Sequence, residues 1–369
     1  MTEVRIIKTT DLIPGMIVSG DIANELGVVV LYNEFVLDEN SINKLETQGI
    51  SSVRILFTTE ESDPHDNLSE TPYDIPAVPE KKSPSAVERQ IEIEKNFNNG
   101  VNQLKNVIYG ISMGKTVELH HVHEITKMIS GNFGTISDAV VCLNKVREID
   151  DYTYAHSMNV ATLASLLGGW LNLPPQQIKQ LLYCGLLHDI GKSKISHDIL
   201  TKPGKLSPKE LEEIRKHPVY GYKSLEKSTT ISAEIAKGVL LHHEREDGSG
   251  YPFGLTSDKI PLFAKIIGIV DTFDAMTANR VYADRFTPFE VMDLFKSEYL
   301  TKCDPGIMMV FMQNISAYYI GHRVRLSNGA SAEIIYINPL FLSKPIVKVG
   351  NGRIFDLSTN TDLKIEEML

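Results

Sequence analysis

Apolar and polar positions change their period three times along the chain. Near the start, Val4-Arg5-Ile6-Ile7 and Val28-Val29-Val30-Leu31 are short and β-branched, and Ser52 to Phe57 repeats the pattern. Runs of this kind predict strands. Between them Asp38 is placed to cap a helix over Glu39 to Gln48, with Gly49 as its stop. Residues 1–60 thus predict a small α+β domain, read as a packing or sensing unit. Residues 61–86 carry prolines throughout and few large apolar side chains. Such a segment buries too little surface to offset its ordering entropy, so it is read as a flexible linker. From Ser85 the spacing turns helical: Val87, Ile91, Phe97, Val101, Leu104 and Ile108 recur among polar residues. This predicts a helix over 85–109, suited to a stalk or a homodimer contact, inside a helical connector over 87–134.

Residues 135–320 read as helix after helix, with little β-branched alternation. Asn172 precedes Pro174-Pro175, which suit a first helical turn. Ser207-Pro208-Lys209-Glu210 and Thr287-Pro288-Phe289-Glu290 match capping boxes with proline at the first helical position. Asp304-Pro305 opens the last long helix and Gly321 is placed to close it. Beyond it, Arg323 to Leu326 and Glu333 to Ile337 flank a turn at Ser327–Ala330. Pro345 to Val349 and Arg353 to Leu357 flank Gly350-Asn351-Gly352. Two hairpins follow, a short β appendage over 321–369. The predicted fold is multi-domain: a small α+β domain, an all-α helical domain and the β appendage.

The 369 residues carry a formal net charge of −10. That argues against binding DNA or RNA polymers, which requires a basic excess. A local basic pocket for a small anion remains compatible with it. The three cysteines, Cys142, Cys184 and Cys303, lack CxxC spacing and read as reduced, mostly buried thiols. The first residues lack the apolar core of a signal peptide, and apolar runs such as Ile260 to Val270 are too short to span a bilayer. A cytoplasmic protein without membrane insertion is the expectation.

The chemistry concentrates where apolar runs deliver polar residues. Leu181 to Leu187 leads into His188-Asp189, followed by Gly191 and Lys192. Val239-Leu240-Leu241 leads into His242-His243. Asp271 interrupts the run from Ala264 to Val270, and His156 and His217 lie within reach in sequence pattern. A carboxylate in such a run is costly to bury unless it is paired or binds a metal. Adjacent helical residues point about 100° apart, so His188 and Asp189 splay toward neighbouring ions. His217 is read as ending the helix that begins near Pro208. Imidazole and carboxylate without thiolate suit iron, manganese or zinc. Two such ions about 3.5–4 Å apart hold a bridging hydroxide and clamp phosphate oxygens, which predicts hydrolysis of a phosphate ester. The loop from His243 to Pro252, with Gly248, Gly250 and Tyr251, lies just past two ligands and is read as lining the substrate. By contrast His120-His121-Val122-His123 lacks partners with ligand spacing and reads as a surface helix.

HDIGK, HHEREDGSGYP and DTFDAMTANRVY, in that order, together with KPGKLSPKE and HPVYG, make residues 135–320 resemble the HD-GYP family of bacterial phosphodiesterases. The resemblance implies a helical metal-binding domain whose usual substrate is the cyclic dinucleotide cyclic di-GMP, hydrolysed to linear pGpG or on to GMP. Carried over by motif, it implies one metal at His156, His188, Asp189 and Asp271, and another at Asp189, His217, His242 and His243. Asp189 would bridge the two. It further implies that Lys192 meets a phosphate oxygen and stabilises the departing alkoxide, while Tyr251, in its Gly250-Tyr251-Pro252 loop, and Arg280 contact substrate phosphates.

This chain has Arg280-Val281-Tyr282-Ala283 where the family often has a second basic residue in place of Ala283. One alternative follows, a weakly catalytic module that binds the messenger and signals through a protein partner; the resemblance implies another, an enzyme for cyclic GMP-AMP, on which some members act. A third metal in some members of the family uses a glutamate four residues before the first histidine, where this chain has Tyr152. A neutral phenol is a poor ligand for a hard cation, so two divalent ions, iron or manganese, are expected.

Overall fold

The computed structural model describes residues 2–20, 22–23, 29–31, 35–38, 41–42, 45, 50, 52–58, 86–113, 119–132, 152–226, 228, 230–278, 286–350, 352–360 and 362–369. It divides into two units, Met1–Lys81 and Lys82–Leu369. The predicted linker lies outside the described residues save Ala86, and so do residues 135–150 of the predicted helical domain.

The first unit contains β1 (Thr2–Lys8), β2 (Ile17–Val18), β3 (Ile22–Ala23), β4 (Val29–Leu31) and β5 (Ser52–Thr58). β1 and β2 flank β5 in an antiparallel sheet, and β3 pairs with β4 as a separate ribbon. Along β5, Val53 and Ile55 are buried and Ser52 and Arg54 exposed, the alternation expected of a sheet with one wet face. Val18, Leu31, Leu37, Leu45, Val53 and Ile55 form its core. Asp38 Oδ1 accepts the Ser41 N–H at 2.7 Å and Ser41 Oγ accepts the Asp38 N–H at 2.8 Å, a reciprocal cap at the predicted place. Most of the helix expected over Glu39 to Gln48, with Gly49, lies outside the described residues.

The second unit is helical, with a sheet at its end. Its helices are α1 (Ala86–Ser112), α2 (Leu119–Asn132), α3 (Tyr152–Trp170), α4 (Pro175–Leu187), α5 (His197–Leu200), α6 (Pro208–Ile214), α7 (His217–Leu225), α8 (Ala233–Leu241), α9 (Leu262–Thr277), α10 (Pro288–Glu298) and α11 (Pro305–Tyr318). A 3-10 turn, Ile190–Lys194, follows α4. Both predicted capping boxes form, at Ser207 and Thr287, and Asp304 Oδ1 accepts the N–H groups of Gly306 and Ile307. α3 and α9 are buried on most faces, as their nearly unbroken apolar sequences require, and form the centre.

Three expectations change. The apolar stripe of α1 (Phe97, Val101, Leu104, Ile108) lies in this unit's own core, so the helix is no free stalk. His217 opens α7 rather than ending α6. Pro218 lacks an N–H and suits a first turn, so the chain breaks at Arg215-Lys216 and restarts. The C-terminal β segment is no appendage. It forms β6 (Arg323–Leu326), β7 (Ser331–Tyr336), β8 (Ile346–Val349), β9 (Ile354–Asp356) and β10 (Ile365–Met368), in the order β10-β6-β7-β8-β9. Its inner residues Val324, Leu326, Ile334 and Val347 belong to the same core as the helices. The unpredicted β10 covers the edge of β6, and its charged Ile-Glu-Glu-Met sequence lacks a hydrophobic period.

α3 and α4 approach closely where Gly185 meets Ala161. A Cβ on Gly185 would lie 2.4 Å from the Ala161 Cα. Gly185→Ala is therefore expected to destabilise the unit by about 1–3 kcal/mol through overpacking. Gly169→Ala, on α3 with nothing within 4 Å of the added methyl, should be neutral or stabilising by up to about 1 kcal/mol through helix propensity. Denaturant unfolding of the two variants checks the pair. Equal midpoints would remove the close approach as a constraint.

Candidate metal centre

Three of the predicted histidines stand just past the C-terminal ends of helices, His217 while opening the next one, and the same bond fixes each. His188 Nδ1 lies 2.7 Å from the Gly185 carbonyl at the end of α4, and His217 Nδ1 2.8 Å from Ile214 O at the end of α6. His242 Nδ1 lies 2.8 Å from Val239 O in the last turn of α8. The last carbonyls of a helix lack intrahelical donors, so a side chain there satisfies one of them. A carbonyl oxygen only accepts, so each Nδ1 is the donor. In its neutral form each ring therefore turns an unprotonated Nε2 inward, the form that ligates metals.

The inward nitrogens converge. His217 Nε2 and His242 Nε2 are 3.3 Å apart. Burial pushes the His217 pKa down to about 4 and holds His242 well below the usual range, so both are neutral near pH 7. Two lone pairs then face each other with no proton between them, an arrangement that a cation relieves. Burial likewise pushes His243 down to about 3. His188 Nε2 and Asp189 Oδ1 are buried atoms without a hydrogen-bond partner. The donor set thus fits divalent metal ions.

Asp189 stands between two groups of nitrogens. Its Oδ1 is 3.2 Å from His217 Nε2, and its Oδ2 is 3.4 Å from His188 Nε2 and 3.8 Å from His156 Nε2. Asp271 Oδ1 lies 3.0 Å from His156 Nε2, and Asp271 Oδ2 3.9 Å from His243 Nδ1. His156, His188 and Asp271 form one set able to hold an ion, His217, His242 and His243 another, and His188, Asp189 and His242 a third that overlaps them. Burial opposes charge on both aspartates, yet Lys192 beside Asp189 and the His156 hydrogen bond to Asp271 hold both well below the usual carboxylate range. Burial also opposes charge on His156, but Asp271 and Asp274 outweigh it and raise its pKa to about 10. A metal at His156 Nε2 would take the place of that proton.

α4 ends at Leu187, so His188 and Asp189 splay because the helix stops there, not through helical periodicity. The 3-10 turn then brings Lys192 Nζ to 2.5 Å from Asp189 Oδ2. Gly191 permits this path, since a Cβ there would overlap the His217 carbonyl of α7. Tyr251 stacks on His243 with ring centres 4.6 Å apart, which places it beside the candidate ligand groups. Burial pushes its phenol up, so it stays protonated as a donor. Gly250 packs its Cα against the backbone of His243 to Arg245. Arg280, Ala283, Arg285 and Asp151 lie outside the described residues, as does the side chain of Tyr152, whose backbone begins α3. The helix α2 carries His123, whose Nδ1 is 3.0 Å from the Tyr183 hydroxyl.

Four residues that support the site, Asp274, Asn159, Glu244 and Lys265, escaped the sequence reading. Asp274 Oδ2 lies 2.6 Å from His156 Nδ1, and Asn159 Nδ2 donates to Asp274 Oδ1 at 2.7 Å, so the carboxylate orients the ring from behind. Asp274 follows Asp271 by three residues on α9, on the same helix face and in the same apolar run, so the burial argument applied to Asp271 also reaches it. Glu244 is buried, and its two oxygens accept the N–H groups of Phe253 and Leu255 at 2.7 and 2.8 Å, closing the loop that carries Tyr251. Lys265 braces that loop, with Glu246 Oε1 at 3.1 Å and Asp304 Oδ2 at 3.2 Å.

Comparison with known proteins agrees with this geometry. Residues 140–307 match the family model of the HD domain. The chain is 34% identical over 237 residues to a cyclic di-GMP phosphodiesterase of Pseudomonas aeruginosa, covering 64% of this chain and 57% of that protein. It is 35% identical over 190 residues to a 3'3'-cGAMP-specific phosphodiesterase of Vibrio cholerae, covering 50% and 43%. A cyclic di-GMP phosphodiesterase response regulator of Xanthomonas campestris is 37% identical over 139 residues, covering 37% of each. The matches thus span only about a third to three fifths of these relatives' lengths. The solved structure of an HDG"Y"P protein from Bdellovibrio bacteriovorus shares the fold, with a TM-score of 0.53 and 13% identity over 85% of this chain and 99% of that one. No helix among the described residues is long and apolar enough to cross a membrane. Residues 140–307, which contain His188-Asp189 and Gly250-Tyr251-Pro252, thus match an HD domain.

Proposed function

We propose that the protein is a phosphodiesterase that hydrolyses cyclic di-GMP to linear pGpG or GMP with two divalent metal ions. The observation that carries this reading is the pair of unprotonated nitrogens, His217 Nε2 and His242 Nε2, facing each other at 3.3 Å among buried aspartates. His156, His188 and Asp271 would hold one ion and His217, His242 and His243 the other, with one Asp189 oxygen turned to each. Imidazole and carboxylate donors without thiolate favour iron or manganese. When bound, such ions supply Lewis acidity toward the phosphodiester and make water acidic enough to attack it near neutral pH.

The chain's own groups do the rest. With Nδ1 of His188, His217 and His242 committed to carbonyls and that of His156 to Asp274, these four ligand rings are held for coordination and have no free edge for proton transfer. Lys192 carries its charge at the edge of the site, 29% exposed, where the leaving oxygen gains negative charge. The Tyr251 hydroxyl donates to a phosphate oxygen, and Arg280 is expected to add a second contact.

Cyclic GMP-AMP is a second reading, favoured by the relatives in Vibrio cholerae named as specific for it. Protein reconstituted with iron or manganese without oxygen, incubated with each cyclic dinucleotide and with mononucleotides, separates the readings by product chromatography. Metal-loaded protein that cleaves no cyclic dinucleotide would overturn both. Elemental analysis of the same preparation tests the metal number, and three fully occupied ions would refute the two-ion site.

Asp189→Ala is expected to abolish hydrolysis and lower metal content at both positions, since each ion loses a ligand. Normal turnover with full metal content would refute the bridge. Lys192→Ala should keep its metals and lower kcat roughly 10²-fold, as loss of one charge-stabilising donor does. Loss of metal in that variant would instead make Lys192 a structural residue. Asp274→Asn should weaken metal binding by about 10–100-fold, because His156 loses the carboxylate that orients it. Competition with a chelator measures this, and unchanged retention counts against the role.

A further inference from the structure

We propose that Arg215 holds the second phosphate of the cyclic dinucleotide, the one not being cleaved. The inference rests on the substrate reading above and adds a residue to it. Arg215 closes α6 and lies two residues before the ligand His217. Its backbone is fixed there: its N–H donates to Leu211 O at 3.0 Å, and His217 Nδ1 is tied to the neighbouring Ile214 carbonyl. The guanidinium lies over the Tyr251 ring, 5.5 Å from its centre, and the same ring stacks on His243 at 4.6 Å and meets His217 edge-on at 6.4 Å. Arg215, Tyr251 and His243 thus form a chain of contacts leading from solvent to the metal-ligand group.

Three features make this cation available. Arg215 is exposed and, among the described residues, pairs with no carboxylate. The neighbouring acid Glu213 is already taken, by Lys216 Nζ at 2.9 Å and the Tyr220 hydroxyl at 2.9 Å. A guanidinium packed over an aromatic ring also keeps N–H donors at its edge, the geometry that receives a phosphate bidentately. The chain's net charge of −10 offers no general attraction for an anion, so the grip on a phosphate falls to individual cations near the site. A cyclic dinucleotide has two phosphodiesters. With one at the ligand groups, the other needs a cation a short way off, and Arg215 supplies it two contacts from His243.

The test compares Arg215→Ala and Arg215→Lys with the parent protein, all loaded with manganese. Cyclic di-GMP and bis(p-nitrophenyl) phosphate, which has a single phosphate, are the two substrates. Arg215→Ala is expected to raise KM for cyclic di-GMP at least about tenfold, the scale of one charge-assisted phosphate contact, with a far smaller change in kcat. Its KM for the single-phosphate ester should move much less, and metal content should match the parent. Arg215→Lys should recover only part of the loss, because lysine keeps the charge without the planar fork. An unchanged KM for cyclic di-GMP overturns the assignment, and so does an equal loss on both substrates, which would mark Arg215 as a prop for Tyr251. A parent protein that neither binds nor cleaves cyclic di-GMP would instead overturn the proposed function and this assignment with it.

Discussion

The second unit depends on one repeated interaction: a histidine just past a helix end donates Nδ1–H to a carbonyl of the last turn. It occurs at His188, His217 and His242, each three residues beyond its acceptor. The bond satisfies a carbonyl that the helix leaves open, and it fixes which ring nitrogen keeps the lone pair. Helices α4, α6 and α8 therefore cannot end elsewhere without re-aiming a nitrogen. The packing around them, Gly185 against Ala161 and Gly191 against His217, holds those ends together.

The same arrangement carries an electrostatic cost that the protein alone leaves open. Unprotonated nitrogens at 3.3 Å and a buried carboxylate oxygen without a donor form a cage short of positive charge. His156 answers part of it by holding a proton between Asp271 and Asp274, and Lys192 answers another part at Asp189. Both replies are local, which is how a chain of net charge −10 builds a site suited to divalent cations and an anionic substrate.

Around the cage the loop from His243 to Leu255 is held from behind. Glu244 satisfies two of its N–H groups, and Lys265 ties Glu246 to the cap of α11. Tyr251 is thereby fixed against His243, with the Arg215 guanidinium over its ring. The C-terminal sheet contributes from a distance by completing the core in which α9 and α11 sit.

Much of this was legible in the chain itself. Apolar runs broken by His188-Asp189, His242-His243 and Asp271 marked the buried polar residues, because an unpaired charge in such a run has no other stable place. The capping boxes at Ser207 and Thr287 marked helix starts through purely local hydrogen bonds, and the sequence placed them correctly. What depends on contacts between distant segments was not legible. The pairing of His156 with Asp274 spans 118 residues, and the contact of Arg215 with Tyr251 joins a helix end to a separate loop. β10 was invisible because its strand character comes from pairing with β6, not from its own pattern. Local chemistry thus determined which residues must be buried and where helices begin. Only the tertiary structure decided which nitrogen of each histidine faces the site and what stands behind it, since both depend on where neighbouring helices stop.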